Sequence, residues 1–353
     1  MRRWKWGSLR RPDKSFRGVR QNLYQQIGAN RKSMIQRFDQ IAVDLPEPSG
    51  PNPAAAAAIQ ELLGGKFGEM STLMNYTFQS FNFRGKEKYR PFYDLICNIA
   101  AEEYSHIEAV AATINLLLNG AVPRADRNKP FGEDADSKKK KAANRKDFGD
   151  ANPAPLSDTA ITAFYRYHFA NSGQAAVPFD GMGNPWNGSY VTATGNLKMD
   201  LLHNFFLECG ARAGKSRVYE MAPDPTSRAM CGYLLVRGGV HIVAYAKALE
   251  KLTGTSVGGL LPIPDVSNKK FPEAMALEAQ GLHTIMWKWC PSDTYTQLGE
   301  IWNGPHPEDG MELEVRDEMP PGFPWPEMPD EPQICAPGEI DPEMLNYYAK
   351  KLG

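Results

Sequence analysis

Residues 98–107 read Asn-Ile-Ala-Ala-Glu-Glu-Tyr-Ser-His-Ile, and within them Glu103 and His106 stand three positions apart in an apolar setting. On a helix, residues three apart share a face, so this Glu-x-x-His step aims both side chains the same way. Three other apolar-rich helical stretches each carry one acid or imidazole. Glu69 lies in FGEMSTLM (67–74), Glu208 in NFFLECGA (204–211) and His241 in LLVRGGVHIVAYA (234–246). Taken singly, a histidine in an apolar helix reads as a hydrogen-bonded core residue, and a glutamate beside Phe or Met as one that reaches out to solvent. Jointly they read differently. A buried carboxylate is costly unless paired or metal-bound. Helical bundles build two-metal sites from carboxylates on two helices and Glu-x-x-His steps on the others. The pattern, with one donor set near the middle of each helix, points to a dinuclear metal enzyme.

The donor set is lopsided. A symmetric site would carry a second Glu-x-x-His, but the position three before His241 is Gly238. Three carboxylates and two imidazoles leave coordination positions for solvent or a small substrate. Oxygen-rich ligation of this kind suits Mn or Fe, with hard ligands favouring Mn.

Composition sets outer bounds. The chain has 353 residues, 42% hydrophobic, with a formal net charge of −1. That is enough for one or two domains with a real core. No apolar run is read as the ~18 residues of a membrane span. Five scattered cysteines with no C-x-x-C pair argue against a disulfide framework or a thiolate zinc site. They fit a reducing cytoplasm, the expected location.

The chain divides by composition. Residues 1–33 hold ten Lys or Arg against one acid, Asp13, with no apolar core of a secretory signal. They read as a disordered or spurious basic extension. Residues 34–53 form an extended lead-in ending in a proline-rich turn. Residues 54–260 carry four helices, over 54–81, 91–118, 196–220 and 226–252. The first is weakened at Gly64-Gly65, and the last two are separated by Pro223 and Pro225. Residues 121–195 are a long polar crossover with a lysine run at 138–141, read as a solvated loop, and a short helix around 158–170. Residues 261–353 form a C-terminal extension whose proline-rich part cannot build its own core. It is expected to lie over the bundle or a neighbouring subunit, anchored by Phe323, Trp325 and Ile334. The fold class is therefore all-α. It is a ferritin-like antiparallel four-helix bundle, with a long crossover between helices 2 and 3 and a Pro-rich C-terminal tail.

Long segments add a family resemblance: GGKFGEMSTLMNYTFQSFNFRG (64–85), PFYDLICNIAAEEYSHIE (91–108), LLHNFFLECGARAGKSRVYEM (201–221) and GYLLVRGGVH (232–241). The sequence closely resembles the manganese (non-haem) catalases over 34–118 and 180–310, and more loosely into the tail. The resemblance implies two Mn ions per chain, cycling between the II,II and III,III states, with hydrogen peroxide as substrate. It implies Glu69 and His106 as ligands of one ion, Glu208 and His241 as ligands of the other, and Glu103 as the bridge. It further implies Tyr76 as a group that hydrogen-bonds a ligand carboxylate, and Lys215 as a cation beside the cluster. Other members have an arginine just before the third glutamate and a glutamate at the position of Gly238. This chain has Leu207 and Gly238 and follows the Lys/Gly branch.

Calcium at a subunit contact, with Asp94, Asn98 and Asn268 at the matching positions, and a homo-oligomer, a hexamer, are also implied. A capping Asp and two turn residues are the other reading of those three positions. No nucleic acid or membrane partner is expected. Two other readings stand beside the catalase: a different ferritin-like dimetal oxidase or oxygenase, and a structural, coat-like relative without turnover.

Overall fold

The computed structural model describes residues 40–48, 50, 52–121, 175–257, 265–289, 295–328 and 350, all within one unit spanning Phe38–Gly353. Six α-helices carry the described chain: α1 Pro53–Gly64, α2 Glu69–Phe81, α3 Arg90–Asn119, α4 Leu197–Met221, α5 Pro225–Thr253 and the short α6 Pro272–Glu278. Local signals set their ends. Asn52 accepts from Ala55 N ahead of Pro53, and Asn196 accepts from Lys198 N and Met199 N at the start of α4. Asp224 accepts from Ser227 N ahead of Pro225. Each offers a side-chain oxygen to amides that have no partner inside the helix. Gly254 closes α5 in the left-handed conformation, which glycine enters without steric penalty.

The helix expected over 54–81 is two helices. Gly65 leaves α1 in an extended conformation, and Gly68 opens α2. The break is enforced from outside. A Cβ on Gly64 would lie 2.3 Å from the Phe179 carbonyl oxygen. Gln60 Nε2 donates to Val177 O at 2.6 Å and to Phe179 O at 2.8 Å. The end of the crossover thus lies directly on the α1–α2 joint. The α1–α2 pair, α3, α4 and α5 together make the four-element bundle. α5 packs on α4, α3 and α6, while α1 and α2 pack on α3 and α4.

The core is divided along the bundle axis. One apolar cluster joins α1, the C-terminal half of α3, the end of α4 and the start of α5. A second joins Tyr76, the N-terminal half of α3, the start of α4 and the C-terminal half of α5. α5 has the length and composition of a membrane-crossing helix, contrary to the sequence expectation, but 94% of that window is buried. Its apolar surface is covered by the bundle itself.

Two small sheets lie outside the bundle. β1 (Gln40–Ile41) pairs antiparallel with β4 (Phe323–Pro324), and β2 (Ile285–Trp287) pairs parallel with β3 (Glu314–Arg316). The lead-in and the proline-rich tail therefore meet, and Phe323 and Trp325 pack against the first apolar cluster. Ile334, the basic extension, the lysine run and the helix expected around 158–170 lie outside the described residues, as do Cys290 and Cys335. Cys97, Cys209 and Cys231 are free thiols.

Gly64→Ala is expected to lower stability by about 1–3 kcal/mol through overpacking against the Phe179 backbone. Gly239→Ala, inside α5 with nothing within 4 Å of an added Cβ, is expected to be neutral or to stabilise by up to about 1 kcal/mol. Urea denaturation midpoints of the two variants check the contrast.

Candidate metal centre

Four elements bring Glu69, Glu103, His106, Glu208 and His241 together between the two apolar clusters, and all five are buried. α3 supplies Glu103 and His106 from one face. The two carboxylate oxygens of Glu103 divide between the imidazoles: Oε2 is 3.1 Å from His106 Nδ1, and Oε1 is 2.8 Å from His241 Nδ1. Glu69 Oε2 stands 3.5 Å from His106 Nδ1, and Glu208 Oε1 stands 3.2 Å from His241 Nδ1. The cluster is two half-sites, Glu69–His106 and Glu208–His241, with Glu103 facing both. The imidazoles stack at a centroid distance of 5.5 Å.

Glu69 is not mid-helix, as the sequence suggested, but the first residue of α2. The break at 64–68 therefore places its carboxylate at a helix N-terminus, where the backbone dipole favours negative charge.

The surrounding groups hold these donors in place. Tyr76 Oη donates to Glu208 Oε1 at 2.7 Å, and Thr72 Oγ1 donates to Glu103 Oε2 at 2.8 Å. Lys215 Nζ lies 2.8 Å from Glu69 Oε1. Burial and the nearby Glu208 carboxylate hold the Tyr76 hydroxyl protonated, well above its usual range, so it acts as a donor.

Gly238 faces the same groups. A Cβ there would sit 3.4 Å from Lys215 Nζ and 4.0 Å from Glu208 Oε2, in ordinary van der Waals contact with both. A side chain longer than a methyl at 238 would have to share its space with the Lys215 ammonium.

The electrostatics show what the cluster lacks. Four buried carboxylates (Glu69, Glu102, Glu103 and Glu208) face two fixed cations, Lys215 and Arg237. Burial would raise the Glu69 carboxyl, but Lys215 and His106 outweigh it and hold the group down to about 2. Burial would lower His106, but Glu103, Glu102 and Glu69 raise it to about 10. His241 is likewise raised well above its usual range by Glu102 and Glu208 against burial. In the metal-free chain two imidazolium protons supply the missing positive charge. Glu208 Oε2 is buried without a hydrogen bond, the kind of orphaned acceptor that needs a partner. Carboxylates and imidazole nitrogens converging on one buried space fit hard or borderline divalent cations.

The sequence profile described as manganese containing catalase matches residues 34–347. The chain belongs to this family. Among its relatives, a manganese catalase of Bacillus subtilis is 31% identical over 246 residues, covering 69% of this chain and 81% of the relative. A manganese catalase of Bacillus subtilis strain 168 is 34% identical over 219 residues, covering 61% and 71%. Among solved structures, KatB, a manganese catalase from Anabaena, aligns at 26% identity with a TM-score of 0.43, covering 63% of this chain and 80% of that one. Manganese is the metal that membership in the family implies.

Three site residues were missed in the sequence. Glu102 turns to the far side of the imidazole pair, with Oε2 3.3 Å from His241 Nε2 and Oε1 3.8 Å from His106 Nε2. Arg237 grips Glu102 through Nε at 2.5 Å and Nη2 at 3.1 Å. Its Nη1 donates to Leu282 O and Ile285 O, and its guanidinium lies over the Trp287 ring. The Glu102 carboxylate thus faces the Nε2 edge of both rings, while each Nδ1 faces the cluster. The signal was present in the spacing: Glu102 precedes His106 by four and Arg237 precedes His241 by four, one helical turn in each case. Thr72, three after Glu69, is the third.

The calcium positions are engaged separately. Asp94 accepts from Arg90 Nε at 2.6 Å and Gln297 N at 3.2 Å, while Asn98 bridges Trp287 O and Trp289 N. Asn268 accepts from Arg212 and donates to Glu278. Among the described residues, no group of metal-type ligands includes any of the three.

A pH dependence follows for the metal-free protein. A histidine raised from 6.5 to about 10 contributes stability that is fully present below its unfolded value and lost as pH rises through the folded one. The chelated protein is therefore expected to lose stability between pH 6.5 and about 10. Manganese, which displaces these protons on binding, should remove most of that loss. Thermal melts of chelated and Mn-loaded protein across this range check it.

Proposed function

We propose that this chain disproportionates hydrogen peroxide to water and dioxygen at a two-manganese centre. Glu69 and His106 would hold one ion, Glu208 and His241 the other, and Glu103 would bridge them. The carrying observation is the division of the Glu103 carboxylate between the two imidazoles, Oε2 towards His106 and Oε1 towards His241. When bound, two Mn ions passing together between the II,II and III,III states supply the two-electron chemistry that reduces one peroxide and oxidises the next.

The chain's own groups orient the donors and manage protons. Tyr76 fixes Glu208, and Thr72 fixes Glu103. Glu102, anchored by Arg237, sets a carboxylate oxygen on the Nε2 side of each imidazole, and each Nδ1 faces the cluster. Lys215 is buried, and Glu69, Glu208 and Glu103 raise it against the effect of burial, so it stays protonated. Its Nζ is the group suited to balance a hydroperoxide anion and to hand over a proton. The apolar clusters on either side keep bulk water from competing with that exchange.

Assembly into a homo-oligomer, a hexamer, belongs to the same proposal. Phe81 on α2 and Leu202 and Phe206 on α4 are large apolar side chains left exposed in the single chain, and such surface favours burial against a copy.

Oxygen release measured alongside metal content on the same sample is the direct test. About two Mn per chain with cyanide-resistant oxygen release is expected; iron with little release would overturn the proposal. Glu103→Gln is expected to abolish turnover and to lose at least one Mn. Lys215→Met is expected to keep its Mn and lose roughly 10²- to 10⁴-fold in kcat, the range of a positioned proton-transfer group. Wild-type kcat in Lys215→Met at full Mn content would remove Lys215 from the mechanism.

A further inference from the structure

A second group of metal-type ligands lies outside the bundle centre. His283, just before β2, and His306 and Asp309, in the turn that follows Trp302, bring one ligand atom each to within 4.8 Å of one another. His283 Nε2 is 2.8 Å from Asp309 Oδ2, and His306 Nδ1 is 3.4 Å from Asp309 Oδ1. Metal–ligand bonds of ~2.0–2.1 Å in a tetrahedral site put neighbouring donors roughly 3.3 Å apart. The His306–Asp309 separation is close to that value, and the His283–Asp309 contact is a hydrogen bond that would open slightly around an ion. We propose that His283, His306 and Asp309 bind a zinc-class divalent cation, with a fourth position open to solvent.

The donor chemistry supports this ion class. Two imidazoles with one carboxylate suit Zn²⁺ and its neighbours better than Mg²⁺ or Ca²⁺, which prefer all-oxygen sets. Both histidines are buried, and the Asp309 side chain is 39% exposed, which gives an entry path. His306 Nδ1 accepts from Glu308 N at 3.3 Å, a long contact that the cation would replace. His283 Nδ1 has no hydrogen-bond partner, so nothing ties the ring proton to Nε2 except the Asp309 contact that a metal would replace.

The turn is already shaped for the task. His306 N donates to Met311 O, Gly310 N to His306 O, and Met311 N to Asp309 Oδ1, so the two ligands of the turn are set by short-range bonds. The cation would act as a clip across the cover of the bundle. His283 follows Leu282 and stands two residues before Ile285, and the carbonyls of those two residues hold Arg237. Thr284 O accepts from Trp302 Nε1 and from Glu314 N. Closing 283 onto 306–309 would therefore brace the segment that orients Arg237 and, through it, Glu102.

The test uses the full-length protein with its resident metal in place. It is incubated with Zn²⁺ and passed through a desalting column, and zinc and manganese are measured on one sample. The wild type is expected to retain one further zinc per chain with its manganese unchanged. His306→Ala and Asp309→Asn are expected to retain it roughly tenfold or more weakly, the usual cost of losing a ligand or its support. Co²⁺ in place of zinc should give a tetrahedral visible band that both variants lose. Equal zinc in wild type and variants, or zinc entering only as manganese leaves, would overturn the proposal. Because Asp309 is half-exposed and Asp309→Asn keeps its shape, a folded protein without the extra zinc remains interpretable. The outcome does not depend on peroxide turnover.

Discussion

Everything in the bundle is arranged around a layer of buried carboxylates that no apolar core could hold alone. Glu102 and Glu103 are neighbours on α3, yet they meet the same two imidazoles from opposite sides. One helix thus supplies both the inner acid of the cluster and the outer acid that sets ring orientation. Removing a charge from water into such a place is strongly unfavourable without compensation. Arg237 serves the outer acid, Lys215 serves Glu69, and two protons or two divalent ions serve the rest. The apolar clusters above and below complete the arrangement, since a dry surrounding makes each of these pairings stronger.

The fold was legible where sequence carries local physics. The ends expected for the helices over 91–118, 196–220 and 226–252 agree with the structure to within a residue or two. The break after Gly64 was only half legible. Two glycines announce a weak point, but a full separation into α1 and α2 depends on the backbone around Phe179, more than a hundred residues away. The pairing of Gln40–Ile41 with Phe323–Pro324 is equally non-local, and nothing in either short segment names its partner. The apolar character of α5 was underrated because Arg237, His241 and Lys247 interrupt it.

The site shows the same division. The five central donors stand out because an acid or imidazole in an apolar helix needs a reason. Tyr76 and Lys215 came from the family resemblance and lie against Glu208 and Glu69. Glu102 was hidden by standing beside Glu103, where one acid of an adjacent pair reads as solvent-facing. Arg237 was hidden because an arginine in a helix usually reaches water, whereas here it makes four hydrogen bonds, to Glu102 and to the Leu282 and Ile285 carbonyls. Those carbonyls lie at and just before the start of β2, so the centre leans on a segment outside the bundle whose three-residue strand is too short to announce itself.

Lys215 and Gly238 are neighbours across the centre, which couples whatever stands at the two positions. A Cβ at 238 would lie 3.4 Å from the lysine head, an ordinary contact, so alanine fits. A longer residue there must share its space with the ammonium, and a shorter residue at 215 leaves a void beside two carboxylates. Exchanges at the two positions touch each other, and their effects are not expected to add.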